Sequence, residues 1–170
     1  MLKVKRLLIY LLFFFLFIIP LKAESKILYM DIEFILSNSN KGKELLKNLN
    51  DNENIKIKNL NEKEQILKNK ENKILSSKNL ISDEQFQKDV ENFRNELNEY
   101  NNFKQLEIEK LKEIRKEKIN NLLGLINTII ENYMNDNSIS MIIDKKNIYM
   151  ANKKYDITDK LIVLINKNIN

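Results

Sequence analysis

The sequence contains no cysteine, no histidine and no tryptophan. Without cysteine, the chain forms no disulfide, offers no thiol nucleophile and has no cysteine for lipid attachment. Without histidine, it lacks the commonest general base and the commonest protein ligand of transition metals. These absences argue against an enzyme and against a transition-metal site.

Paired carboxylates are the remaining candidates for chemistry. Asp31 with Glu33, and Asp156 with Asp159, are such pairs, but both lie at the ends of predicted elements, where helix capping explains them. No histidine is present to assist them, and the sequence has no glycine-rich phosphate loop. We therefore expect no catalytic residues, no cofactor and no bound metal.

Glycine and proline are also scarce. The chain has two glycines, Gly42 and Gly124, and a single proline, Pro20. So few turn-forming residues favour a small number of long elements over a fold with many loops.

The first 23 residues have the pattern of a secretory signal peptide. MLKVKR carries three positive charges, the apolar run LLIYLLFFFLFIIPL follows, and the small residue Ala23 precedes the predicted cleavage position. An uncleaved N-terminal anchor is the alternative. The run is shorter than the ~20 residues of a spanning helix, and Pro20 interrupts its end. Export to the periplasm is therefore the prediction.

Removal of this signal changes the charge balance. It carries four of the 29 basic residues and none of the 24 acidic ones, so the mature chain has a net charge of about +1. This balance argues against a nucleic-acid partner. The stretch from Lys41 to Lys78 keeps ten lysines against six acids, which leaves weak contact with a membrane surface open.

The stretch LISDEQF, residues 80–86, interrupts a long region of helical character. Ser82 is a suitable N-cap, and Gln85 can complete a capping box with it. Ile81 and Phe86 occupy the positions of a hydrophobic staple. We therefore predict two long helices that meet at a tip near residues 76–83.

The two predicted helices carry matching apolar stripes. In the first helix, about 41–80, Leu60, Leu67, Ile74 and Ile81 recur every seven residues. The second has a clearer coiled-coil seam at spacings of four and three, which consists of Phe86, Val90, Phe93, Leu97 and Tyr100. Lys104 and Glu107 interrupt this seam, which predicts local loosening of a flexible arm.

The character of the chain changes after Lys118. The helix becomes broadly apolar, residues 138–144 predict a strand, 145–147 a turn and 148–151 a second strand. Thr158 is a predicted cap of a final amphipathic helix, with Ile157 and Ile162 as its staple. Because neither end of the chain can close a core alone, we expect strands from both ends to share one small sheet, which oligomerisation would complete.

These elements predict an α+β fold, mostly α, in which a long antiparallel helical hairpin projects from a small β-body. The predicted segments are a signal peptide at 1–23, a first body segment at 24–40, the arm at 41–119 and a second body segment at 120–170.

The layout resembles the Skp or OmpH family of periplasmic chaperones. KILYMDIEFILSNSNKGKELLKNL is similar to the family's strand, short helix and Gly-Lys start of the long helix. ISMIIDKKNIYMANKKYDITDKLI is similar to its β-hairpin and the Asp-Ile-Thr turn into the last helix. The likeness extends over residues 24–170, although the arms resemble many coiled coils.

The resemblance implies a homotrimer with a central β-barrel and three helical arms around a cavity. The cavity would hold unfolded outer-membrane proteins without ATP and prevent their aggregation. Because the family is often strongly basic and the predicted mature chain is nearly neutral, no lipopolysaccharide site is carried over. The apolar content of the arm suggests the client-binding residues Phe86, Phe93, Tyr100, Phe103 and Leu106. The predicted body or oligomer core includes Ile27, Tyr29, Ile142, Ile148 and Leu161.

Two alternatives to client binding also fit the amino-acid sequence. The seam aromatics, Phe93 and Tyr100 among them, also fit a role that only holds the two arms together. The whole protein could likewise be a structural or adaptor coiled coil of the periplasm that links one fixed partner.

Overall fold

The computed structural model describes residues 25–169. The predicted signal peptide and its cleavage position lie outside these residues. The described chain is a two-stranded body with a long helical hairpin inserted between the strands. Its elements are β1 (Lys26–Met30), α1 (Ile32–Asn38), α2 (Asn40–Ser77), α3 (Asp83–Asp136), β2 (Ile139–Asp144) and α4 (Thr158–Asn168), with short 3-10 turns at Lys145–Asn147 and Lys153–Tyr155.

The sheet joins the two ends of the described chain. β1 pairs in parallel with β2, with Leu28 opposite Ile142 and Met30 opposite Asp144. A parallel pair needs a long crossover connection, which α1 and the hairpin supply here. The prediction that strands from both ends share one sheet is confirmed.

The predicted β-hairpin of residues 138–151 is wrong in its second half, because residues 148–151 form no strand. The Asp144 side chain accepts a hydrogen bond from the N–H of Lys146 and so turns the chain at the end of β2. Further along, Tyr29 of β1 pairs with Asp156. The segment therefore crosses towards β1 and does not fold back along β2.

One apolar core holds the body together. Ile35, Ile126, Leu161 and Ile165 are completely buried, one or two from each of α1, α3 and α4. Ile139 of β2 and Leu28 of β1 pack on the same core. The broadly apolar part of α3 predicted after Lys118 thus belongs to the body.

The start of α4 corrects the predicted cap. The helix begins at Thr158, and its N-cap is Ile157, which has no side-chain capping bond. Thr158 is instead an internal link: its hydroxyl donates to Asp156 Oδ1 at 2.6 Å and accepts from the backbone N–H of Asp31 at 3.0 Å. The threonine is buried, and it connects the end of β1 with the start of α4.

The elbow between α1 and α2 requires a glycine. Ser39 is the N-cap of α2, and its hydroxyl accepts a hydrogen bond from the N–H of Gly42. A Cβ at Gly42 would lie 1.7 Å from the carbonyl oxygen of Leu36. Only a residue without a side chain lets the two helices approach so closely.

The tip of the arm follows the prediction closely. α2 ends at Ser77, three residues earlier than expected, and Ser82 is the N-cap of α3, its side chain accepting from the N–H of Gln85. The capping box is only half formed, because the Gln85 side chain donates to Asp89 at 2.7 Å.

Candidate functional site

The seam between the arms has its apolar core in the half nearer the tip. Leu60 and Leu67 of α2 are buried there against Phe93 and Tyr100 of α3. The Tyr100 hydroxyl donates to the carbonyl oxygen of Leu60 at 2.8 Å, so that this polar group has a partner although it is buried. Burial raises the pKa of Tyr100.

The five predicted client-binding residues therefore have different environments. Phe93 and Tyr100 are buried in the seam, which agrees with the alternative interpretation that they join the arms. Phe86 is half-buried near the tip. Phe103 and Leu106 lie outside the seam core and are 46% and 65% exposed, so an incoming chain can reach both.

Ion pairs replace apolar contacts where the seam pattern is interrupted. Lys104 contacts Glu64 across the arms at 2.6 Å, and Glu107 contacts Lys56 at 2.8 Å. The interruption at Lys104 and Glu107 is therefore bridged by pairs between the helices. Further cross-arm pairs join Arg115 to Glu53 at 2.9 Å and Lys70 to Glu96.

These contacts shift the ionisation of two carboxylates. The hydrogen bond and charge of Lys104 lower the pKa of Glu64, and those of Lys56 lower the pKa of Glu107. The Glu64 contact in turn raises the pKa of Lys104. Both pairs remain charged near neutral pH and contribute a salt-sensitive attraction between the arms.

Two grooves run between the helices of the arm. The proximal groove, nearer the body, has a volume of about 400 Å³ and an apolar floor of Ile57, Leu60, Ile108 and Leu111. The distal groove has a volume of about 270 Å³ and an apolar floor of Leu67, Phe93, Leu97 and Tyr100. Lys104 lines both grooves.

Ile57 and Ile108 are not among the binding residues predicted from the sequence, although both lie on the surface of the arm. They are 48% and 38% exposed, beside the seam. Each stands three residues from a floor residue of the same groove, Leu60 and Leu111 respectively. That spacing is the available signal, because residues three apart share a helix face.

The predicted body residues are only partly buried within one chain. Tyr29 and Leu161 are buried, whereas Ile142 and Ile148 are half-buried. Ile27, on β1, is 48% exposed. It lines a cavity of about 820 Å³ beside β1, together with Ile148, Met150 and Tyr155.

Among residues 25–169, no group of three acidic side chains is placed to hold a metal ion. Within the same residues, none of the helices combines the length and the apolar character that crossing a membrane requires.

Comparison with known proteins agrees with this architecture. The family model described as outer membrane protein (OmpH-like) matches residues 26–165. The chain belongs to the OmpH-like family. No curated protein sequence matches it.

A solved structure shares the fold of this OmpH-like chain. It is a crystal structure from Caulobacter crescentus, described as an outer membrane chaperone (OmpH-like). The two chains are 17% identical, and the match covers 86% of this chain and 87% of the other with a TM-score of 0.77. At this identity the likeness establishes the fold alone.

Proposed function

We propose that this protein is an ATP-independent holdase of the periplasm, which binds unfolded outer-membrane proteins between helical arms and prevents their aggregation. Membership of the OmpH-like family supports a chaperone of outer-membrane proteins in general terms. The observation that carries the proposal is the arm itself, which presents exposed apolar side chains far from the body.

The length of the arm suits a cavity wall. α2 has 38 residues, which corresponds to roughly 57 Å at the rise of an α-helix. The single thin seam leaves most of this surface to solvent. A chain that only spaced two partners would have no need of exposed side chains such as Leu106.

The contact residues we propose are Phe103 and Leu106. Lys63 lies over the Phe103 ring at 5.2 Å from its centroid, so the exposed ring stands beside a positive charge. Unfolded membrane-protein segments offer apolar and acidic groups together, and this mixed surface can contact both.

A homotrimer is part of the proposal, and the body supports it. A two-stranded sheet is marginal by itself. Tyr149 and Met150 are 101% and 83% exposed beyond β2, and Ile27 faces the cavity beside β1. Neighbouring copies would bury these apolar groups.

The test dilutes a urea-unfolded outer-membrane barrel protein into the mature chain, residues 24–170, and measures the mass of the eluted species by light scattering. We expect a soluble complex of three copies with one client. Precipitation of the client as rapidly as in buffer alone would overturn the proposal. The mass of the chain alone would then show the assembly of an adaptor coiled coil.

Matched variants locate the contact. A double variant that carries Phe103→Asp and Leu106→Asp should keep several-fold less client soluble. Val163→Asp, at a 70% exposed apolar position of α4 in the body, should leave it unchanged.

A further inference from the structure

The proximal and distal grooves open on the same side of the arm. Lys104 lines both, and its ion pair with Glu64 stands between the two apolar floors. Phe103 and Leu106 line neither groove. The grooves are thus a surface separate from the contact residues proposed above.

The spacing of the grooves is set by the rise of the helix. Leu60 and Leu67 are seven residues apart along α2, which corresponds to about 10 Å, and Ile57 and Leu67 are ten apart, or about 15 Å. An extended chain covers about 13 Å in four residues. Side chains four apart in an extended chain also point to the same side.

The walls of the grooves carry both signs of charge. Glu53 and Lys112 flank the floor of the proximal groove, and Lys68 and Glu71 flank the distal one. Such walls accept a polar backbone and polar side chains of either sign. They do not select for a strongly charged ligand of one sign.

We infer that the paired grooves bind an extended segment with apolar side chains at positions i and i+4, one in each groove. Lys104 would lie beneath the residues between them and can donate to a backbone carbonyl. Strands of outer-membrane barrels alternate apolar and polar residues, so they supply this pattern repeatedly. The inference rests on the proposed function and names the feature of the client that the arm recognises.

Two fluorescent peptides of identical composition test the spacing. Both are twelve-residue Ser/Thr peptides with two phenylalanines, placed at positions 4 and 8 in one and at 4 and 7 in the other. In an extended chain only the first pair lies on one side. By fluorescence anisotropy with the mature chain, we expect the first peptide to bind at least fivefold more tightly.

Variants at exposed positions test the location without disturbing the seam core. Ile57→Asp and Ile108→Asp should each weaken binding of the first peptide about tenfold and remove the preference between the peptides. Ile55→Asp is the matched control, because Ile55 is 59% exposed on the same helix and lines neither groove. Far-ultraviolet circular dichroism confirms that each variant stays helical.

Equal binding of the two peptides, or equal loss in the Ile55→Asp control, would overturn the inference. These outcomes are distinct from failure of the holdase proposal, which the client-dilution experiment decides. A soluble client complex with no preference between the peptides would support the holdase proposal and overturn the inference about the grooves.

Discussion

The hydroxyl of Thr158 accepts a hydrogen bond from the backbone N–H of Asp31, a residue 127 positions earlier, at 3.0 Å. The same hydroxyl donates to Asp156, whose carboxylate also accepts from the N–H of Thr158. One buried threonine thus joins the end of β1 to the start of α4. The whole helical arm lies between the two residues in sequence, so this link helps to close the body at its base.

Loss of this hydroxyl should therefore destabilise the body. Thr158→Val keeps the shape of the side chain but leaves the Asp31 N–H without its acceptor, which should cost about 1–3 kcal/mol. Thr158→Ser, which keeps the hydroxyl, should cost less. Urea unfolding followed by circular dichroism measures both, and equal stability of Thr158→Val and wild type would contradict the role of the link.

Acidification should weaken the same link. Burial raises the pKa of Asp156, but the hydrogen bonds from Thr158 and the charges of Lys145 and Lys153 outweigh it, so the pKa lies below 3.8. A lowered carboxyl pKa contributes stability that is present above the ordinary value and is lost as the pH falls through the folded value. Asp156→Asn should flatten this part of the pH profile. An unchanged profile below pH 4 would show that Asp156 is not responsible.

The two glycines should respond to alanine in opposite directions. Gly42→Ala places a Cβ 1.7 Å from a backbone oxygen and should destabilise by about 2 kcal/mol or more. Gly124→Ala meets nothing within 4 Å on an exposed helix face and should stabilise by about 0.5–1 kcal/mol. Thermal melts of the two variants test this contrast, and a melting temperature of Gly42→Ala equal to wild type would exclude the tight elbow.

Truncation should separate seam residues from surface residues. Phe93→Ala removes a buried ring between the arms and should destabilise by about 3 kcal/mol. Leu106→Ala, at a mostly exposed position, should change stability by less than about 0.5 kcal/mol. Hydrogen exchange of the arm amides reports both effects, and comparable protection in the two variants would argue against a seam at Phe93.

The cross-arm ion pairs should make the arm sensitive to acid and salt. Lys104 lowers the pKa of Glu64, so this attraction is present above pH 4.5 and is lost as the pH falls through the lower folded value. Glu64→Gln removes this attraction at every pH, so the arms of the variant should already be further apart at neutral pH. To measure the distance between the arms, Lys63 and Arg94 are each replaced by Cys and a fluorophore is attached to each. The chain has no native cysteine to interfere. A distance that does not change with pH while Glu64 is intact would exclude the effect.

The helical hairpin and its tip could be predicted from sequence because their signals are local. The cap at Ser82 and the seam at Phe93 and Tyr100 depend on residues within a few turns of one another. The shared sheet can be predicted from composition, because neither end of the chain has enough apolar residues to close a core alone.

Other features depended on contacts that spacing does not reveal. Residues 148–151 have strand-like composition, but the pairing of Tyr29 with Asp156 decides their course. Thr158 resembles a helix cap in sequence, yet a partner 127 residues away fixes its role. The spacing of Ile57 and Ile108 places each on a helix face with a seam residue, but only the packing of α2 against α3 shows that they line a groove.

The long helices, the position of the tip and the apolar seam follow from the amino-acid sequence alone, because helix periodicity and capping act over neighbouring residues. The packing of α2 against α3 fixes which aromatic rings are buried, which charges pair across the arms and where the grooves open. Those properties depend on the distance between two helices, and that distance depends on how all the side chains of the seam pack together.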